Sequence, residues 1–355
     1  MNLAGKRILL IKPSSLGDVV HTLPLVHAIK RNHPSSHIGW VIQQGFRGVI
    51  ESDPAVDEII PIVIPSTSDP QAERGAFTRA AVATYHTLRK LRRRFRENPY
   101  DLVLDLHASF RSGLLALANP NGMRAGFHDA KELNTWFQHH LINTDESQHA
   151  VDKNLAFATY LGCSSSPEDF KMVVNPAARE RVRTFLQQEG VDPADRIVYA
   201  NPAARWETKY WTVQGWAELA DSLIERKGVR VIFAGSAEDA RYISLIEQRM
   251  KARPVVAAGK LALDEAVALI EAADVYVGVD SGPMHIAAFA GTPVVALFGP
   301  TDPEKVGPYG HGHRVIRVQG LDCLACRKRS CGNRRCLEDL DAVTVFDQTV
   351  QLLGW

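Results

Sequence analysis

The stretch 273–303, ADVYVGVDSGPMHIAAFAGTPVVALFGPTDP, constrains the fold more than any other part of the chain. Two uncharged, β-branched runs are separated by a polar turn broken by Gly and Pro and by a run of small residues, which reads as strand, turn, helix, strand. A run such as Val275 to Val279 suits a parallel strand covered by helices on both faces. After it, Asp280 or Ser281 can cap a helix, Pro283 suits the first turn, and Ile286 to Ala290 continue it. Amide donors and the positive end of the helix dipole then gather where the strand ends. In an open α/β sheet that is where anionic ligands such as phosphate bind. Taken alone, the stretch also reads as an ordinary strand-to-helix turn.

The same grammar recurs along the chain. Residues 7–11, 38–42, 58–63 and 102–106 read as strands, with helices from Val19, Phe46 and Phe77 between them. Further on, 197–200, 229–234 and the short 255–256 read as strands, with helices over 214–227, 239–250 and 263–272. This alternation predicts an α/β protein built on doubly wound parallel sheets. At 355 residues the chain exceeds one core and suits two domains. The most linker-like passage is Cys163-Ser-Ser-Ser-Pro167, so the expected domains are 1–170 and 171–355. A net charge of +1 with 23% charged residues describes an ordinary globular protein and gives no reason to expect nucleic acid as a partner. No apolar run reaches the roughly 18 residues needed to span a bilayer, and Met1 leads almost at once into the first strand, so a cytoplasmic protein is expected.

If the carboxyl-end loops of the two sheets face one another across a cleft, several candidate residues converge. Lys12-Pro-Ser-Ser-Leu-Gly17-Asp18 is neither a dinucleotide fingerprint nor a P-loop. Gly17 allows a tight turn, and Asp18 falls at a helix start, as a cap or as a general base that takes a proton from a hydroxyl. The turn from His107 to Gly113 repeats the design and places Arg111 near the same sheet edge, and Lys131 adds a cation. In the second half Lys209, Gly235-Ser236, Gly259-Lys260-Leu261 and Asp280 to His285 offer donors and a lysine for a diphosphate, with Asp280 or Glu238 for hydroxyls. The basic run Arg89 to Arg96 reads as a solvated helix face, or as contact with anionic lipid headgroups or a phosphorylated acceptor. His128, His139 and His140 lack the spacing of a metal-binding helix. Cys323, Cys326, Cys331 and Cys336 suggest a structural metal by number, but their longer gaps are not the paired spacing of zinc ribbons. Asp339-Leu340-Asp341 is formally a D-x-D and reads as a helix cap.

Taken together, KPSSLGDVVHTLP at the start, KYW around Lys209, the block from Gly259 to Pro303 and the cysteine-rich tail over 321–338 resemble glycosyltransferase family 9, the lipopolysaccharide heptosyltransferases, over nearly the whole chain. The resemblance implies a GT-B architecture, with two Rossmann-like domains and the active site between them. It implies inverting transfer of heptose from ADP-L-glycero-β-D-manno-heptose to the Kdo or heptose of the lipopolysaccharide inner core, independent of metal, by an enzyme peripheral on the cytoplasmic face of the inner membrane. The first domain then binds the acceptor and the second the nucleotide sugar. By matching motif, Asp18 is the catalytic base, and Lys209 offsets charge on the diphosphate leaving group. Asp280 accepts hydrogen bonds from sugar hydroxyls, Ser281, Gly282 and His285 lie at the helix end that holds the diphosphate, and Leu261 lies against adenine. Ser236 and Glu238 complete the donor side, and Arg111 and Lys131 serve the acidic acceptor. The alternatives are another donor or acceptor within the family, a sugar-nucleotide epimerase of similar form, and a nucleotide-sugar binding protein without turnover.

Overall fold

Apolar runs that alternate with amphipathic stretches have only a few ways to bury both faces of a sheet, and the chain adopts one of them twice. The computed structural model describes residues 2–67 and 75–355. It divides into two compact units, Met1–Phe170 and Lys171–Trp355. In the first, β1 (Arg7–Ile11), β2 (His37–Gln43), β3 (Glu58–Ile62), β4 (Leu102–Asp105), β5 (Met123–Phe127) and β6 (His140–Ile142) form a parallel sheet in the order β3-β2-β1-β4-β5-β6. In the second, β7 (Ile197–Asn201), β8 (Arg230–Phe233), β9 (Val255–Val256), β10 (Val275–Val279), β11 (Val294–Leu297) and β12 (Arg314–Ile316) run in the order β12-β11-β10-β7-β8-β9. Counted from its own first strand, each sheet follows the 3-2-1-4-5-6 order of a doubly wound nucleotide-binding fold.

The helices of the first unit are α1 (Leu16–Val20), α2 (Leu23–Asn32), α3 (Ala76–Glu97), α4 (Phe110–Ala116) and α5 (Ala150–Leu161). Those of the second are α6 (Pro176–Gln188), α7 (Val213–Lys227), α8 (Ala240–Glu247), α9 (Leu263–Ala272), α10 (Gly282–Ala290), α11 (Pro303–Val306), α12 (Arg335–Glu338) and α13 (Ala342–Leu352). Every residue of β10 is buried, as its uncharged sequence requires. Gly278 within it has no room for a side chain, because a Cβ there would overlap the ring of Tyr276, which stacks on Tyr199 at 5.5 Å. This packed pair floors the end of the sheet from which Asp280 and Ser281 emerge.

Three local departures from the sequence reading have physical causes. The expected single helix from Val19 is broken into α1 and α2 at His21-Thr22, because Pro24 has no N–H to continue the ladder and instead occupies the first turn of α2. The helix expected from Phe46 is a 3-10 segment, Gln44–Val49. The strands β5, β6 and β12 were not legible: β6 and β12 have three residues each and lie at sheet edges, and β5 carries Met, Arg and Gly, so none shows an uncharged run. Asp341 caps α13 by accepting the Thr344 N–H at 3.0 Å, which accounts for the formal D-x-D.

The topology fixes where ligands can bind. The winding direction reverses between β1 and β4 in the first unit and between β7 and β10 in the second, and the loops leaving these strands splay apart into a crevice. Lys12 to Asp18 follow β1 and His107 to Arg111 follow β4. Asn201 ends β7, and Asp280 to Gly282 follow β10.

Candidate functional site

At the switch point of the first unit, Ser15 is the N-cap of α1 and Asp18 its third residue. One Asp18 oxygen, Oδ2, accepts from the Ser15 N–H at 2.9 Å and the Ser15 hydroxyl at 2.7 Å, while Oδ1 lies 3.4 Å from Lys12 Nζ. Asp18 therefore does cap the helix, yet its side chain remains 43% exposed, so the carboxylate is presented outward as well. Lys12 is buried and donates to the Leu106 carbonyl at 2.6 Å, which fixes its ammonium beneath Asp18. Burial works to raise the Asp18 pKa, but the Lys12 charge, both Ser15 hydrogen bonds and nearby His21 outweigh it and hold the carboxyl far below the usual range.

Beside this loop, His107 Nδ1 sits 3.0 Å from the Ser14 carbonyl. A carbonyl only accepts, so Nδ1 carries the proton and the ring is fixed in that tautomer. Burial, and then the Lys12 charge, lower the His107 pKa, which leaves it neutral near pH 7. The turn itself is built by Asp105, which the sequence reading missed. Fully buried, it accepts from the backbone N–H groups of His107 and Ala108 and from the side chains of Ser112, Asn134 and Gln138. A strand-terminal Asp followed seven residues later by Ser at a helix start was the available signal. Arg111, half-buried, reaches Thr67 Oγ1 at 3.4 Å, and Lys131 is exposed after β5.

Lys12 gives the first prediction. In Lys12→Met the charge that depresses the Asp18 pKa is gone while burial still raises it, so an acidic limb should enter the pH profile of activity about one pH unit or more above that of the parent. A profile identical to that of the parent would mean that Lys12 does not set the charge state of Asp18.

In the second unit the central feature is the pair Lys209–Asp280. Lys209 ends a 3-10 turn, Glu207–Lys209, and its Nζ lies 2.6 Å from Asp280 Oδ2 and 3.2 Å from the Asp280 carbonyl. The two side chains are only 16% and 6% exposed. The Trp206 ring receives Lys209 Nζ at 4.8 Å and the Arg329 guanidinium at 4.7 Å. Ser281 is the N-cap of α10, but its Oγ is engaged by Asn201 Nδ2 at 2.9 Å, and no side chain caps the helix. The switch point thus carries an ammonium and the open positive end of a nine-residue helix. Gly282 and buried His285 lie in the first turns of α10.

The neighbouring loops are packed on one another. Gly259 has a positive φ of 71°, donates its N–H to the Gly235 carbonyl and lies so close to Ala237 that a Cβ would crowd it. Ser236 is tied to Asp239 through its amide and its hydroxyl, and Glu238, within the same turn, is exposed. Leu261, with Phe185, Arg181 and Lys260, lines an open cavity of about 270 Å³.

The cysteine-rich segment braces this site. The Lys328 carbonyl accepts from Thr208 Oγ1 at 2.9 Å, Arg334 Nη1 donates to the Glu207 carbonyl, and the amides of Ala325 and Arg327 bond the carbonyls of Gly299 and Pro300. Its four cysteines carry free thiols, and burial, followed by the charges of the other three, raises the Cys336 pKa. Among the described residues no group of three or more His, Cys, Asp or Glu is arranged to hold a metal ion.

Comparison with known proteins gives a consistent result. A family model described as glycosyltransferase family 9 (heptosyltransferase) matches residues 88–336. The chain is 28% identical to lipopolysaccharide heptosyltransferase 1 of Salmonella typhimurium over 96% of this chain and 98% of that protein. It is 29% identical to lipopolysaccharide heptosyltransferase 3 of Escherichia coli (strain K12), over 95% of each. Among solved structures, the glycosyl transferase family 9 protein of Veillonella parvula superposes with a TM-score of 0.83 at 25% identity, covering 100% of this chain and 99% of that one.

Proposed function

The chain belongs to glycosyltransferase family 9, a family of GT-B transferases, and from that premise we propose that it moves heptose from ADP-L-glycero-D-manno-heptose to the inner core of a lipopolysaccharide acceptor, with inversion. The observation that carries the reading is the buried Lys209–Asp280 pair at the uncapped start of α10, which joins a cation for a diphosphate to a carboxylate for hydroxyls at one switch point.

In this reading the second unit holds the donor. The start of α10, with Ser281, Gly282 and His285, receives the diphosphate, and Asp280 accepts from the sugar hydroxyls. Leu261 and Phe185 offer apolar walls for adenine, and Ser236 and Glu238 lie on the neighbouring loop. The first unit activates the acceptor. Asp18 takes the proton of the acceptor hydroxyl as that oxygen bonds to the anomeric carbon, and the bond from that carbon to the diphosphate oxygen breaks on the opposite face. ADP departs with the bonding electron pair, its charge offset by Lys209 and the helix end, so no step calls for a metal. Arg111 and Lys131 meet the anionic groups of the acceptor, a Kdo carboxylate or a phosphate. The reading places the enzyme on the cytoplasmic face of the inner membrane. Among the described residues no helix is long and apolar enough to cross a bilayer, and contact with the membrane is proposed to be peripheral.

The test supplies purified ADP-heptose with truncated Kdo-lipid A, or with the same acceptor already carrying one heptose, and follows ADP release. Turnover dependent on one of the two, undiminished in EDTA, is the expected result. Tight donor binding without turnover on either acceptor would overturn the acceptor assignment, no donor binding would overturn the donor, and loss of rate in EDTA would overturn metal independence.

A further inference from the structure

Of the nine large apolar side chains left in solvent among the described residues of the first unit, five stand at one end of its sheet, while Val82 and Tyr85 lie within α3, Leu117 after α4 and Leu141 in β6. Val63 follows β3, Phe77 opens α3, Phe110 opens α4, and Leu133 and Trp136 occupy the turn after β5. Their exposures run from 44% for Phe110 to 78% for Trp136. All five lie in segments that leave the carboxyl ends of parallel strands, the edge that also carries Asp18, Arg111 and Lys131. Soluble surfaces seldom gather apolar side chains in this way without a partner.

The rim is built rather than incidental. Phe110 packs edge-on against Phe137 at 5.4 Å, and the Phe110 N–H donates to Glu132 Oε2 at 3.1 Å, which ties α4 to the turn. Glu132 and Leu133 both have positive φ, 56° and 60°, a region that side-chain-bearing residues seldom adopt. Asn134, bonded to the buried Asp105 at 2.7 Å, pins this bend from below. The backbone is thus held in an unfavourable conformation while Leu133 and Trp136 stay in solvent.

We propose that this rim seats in the interfacial layer of an anionic lipid bilayer, so that a lipid-borne acceptor reaches Asp18 from the membrane side. The proposal rests on the acceptor of the transferase reading. Trp and Phe favour the depth at which headgroups meet acyl chains, and Arg111 and Lys131 on the same edge complement lipid phosphates. The basic run Arg89 to Arg96 is not part of this face. A crossover helix runs back against the strands, so Arg96 stands roughly 28 Å along α3 from Phe77, toward the amino ends of the sheet. There Arg94 pairs with Glu58 through its Nε at 3.0 Å, while Leu91 and Phe95 face the core.

The experiment is co-sedimentation of the full-length protein with vesicles of phosphatidylethanolamine and phosphatidylglycerol. Phe77→Ser combined with Trp136→Ser should weaken partitioning by about tenfold or more, since two exposed aromatics lose their apolar contact. Arg92→Glu combined with Arg93→Glu should retain most of the binding. Transfer to a lipid-free truncated acceptor should keep its rate in the aromatic double variant. Failure of the parent protein to bind vesicles, unchanged binding in the aromatic variant, or loss confined to the arginine variant would each overturn the proposal. So would a parent dimer in solution that the aromatic substitutions dissociate, because the rim would then cover a second copy. If the lipid-free acceptor is not used by the parent protein either, it is the transferase reading that fails, whatever the vesicles show.

Discussion

Asp18→Asn is expected to slow transfer by about a thousandfold while leaving ADP affinity nearly unchanged, the scale lost when a positioned general base is removed. Steady-state ADP release and calorimetric titration with ADP measure the two quantities separately. The substitution is a sharp probe because the amide oxygen can still accept the Ser15 N–H and hydroxyl, so the start of α1 survives and only the charge is removed. The electrostatics constrain how the base works. With Lys12 holding its pKa far down, Asp18 is a poor place to store a proton, and the transfer has to accompany bond formation to the anomeric carbon rather than precede it. The sign of the pH dependence follows. A carboxyl whose folded pKa lies below its unfolded value, near 3.9, contributes stability above that value and loses it as the pH falls through the folded one. Between pH 5 and 8 neither rate nor stability should therefore vary through Asp18, and any acidic limb there belongs to another group. A rate for Asp18→Asn equal to that of the parent would remove Asp18 from its role.

Legibility in the sequence followed burial. The central strands β1, β4, β7 and β10 are buried almost throughout, so apart from Arg7 and Asp105 at their ends they carry no charge, and their loops could be placed from residue type alone. That was enough to locate Asp18, Asp280 and Ser281 at strand ends. What no periodicity shows is which polar groups pair across the switch point. Lys12 looks like the first residue of a loop until its Nζ is seen bonded to the Leu106 carbonyl, ninety-four positions away. Asn201 looks like a turn residue until it holds the Ser281 hydroxyl. Arg329 joins Trp206 and the Lys209 site only because the cysteine-rich segment folds back on that loop. The edge strands β6 and β12 were illegible for the opposite reason, since a short, half-exposed strand need not be apolar.

Lys209→Met carries the second large effect. It should lower kcat by about a hundredfold to a thousandfold through loss of charge stabilisation on departing ADP, and it should also weaken ADP binding. A second consequence comes from the pair itself. Lys209 and Asp280 are both largely buried, so removing the ammonium leaves a desolvated carboxylate, a penalty of about 3 to 5 kcal/mol that lowers the melting temperature. Lost activity in this variant would by itself be ambiguous between chemistry and stability. Adding Asp280→Asn resolves it, because neutralising the orphaned charge should recover most of the melting temperature without restoring turnover. If the double variant regained both, Lys209 would be a structural counter-ion, and the charge that ADP needs would have to come from the start of α10 alone. The opposite outcome, stability without turnover, shows that the activity lost in Lys209→Met is not a folding defect, and weakened ADP binding in Lys209→Met alone, with Asp280 intact, then identifies Lys209 as the group that meets the diphosphate. The diphosphate must then share Lys209 with Asp280 or displace it when it binds.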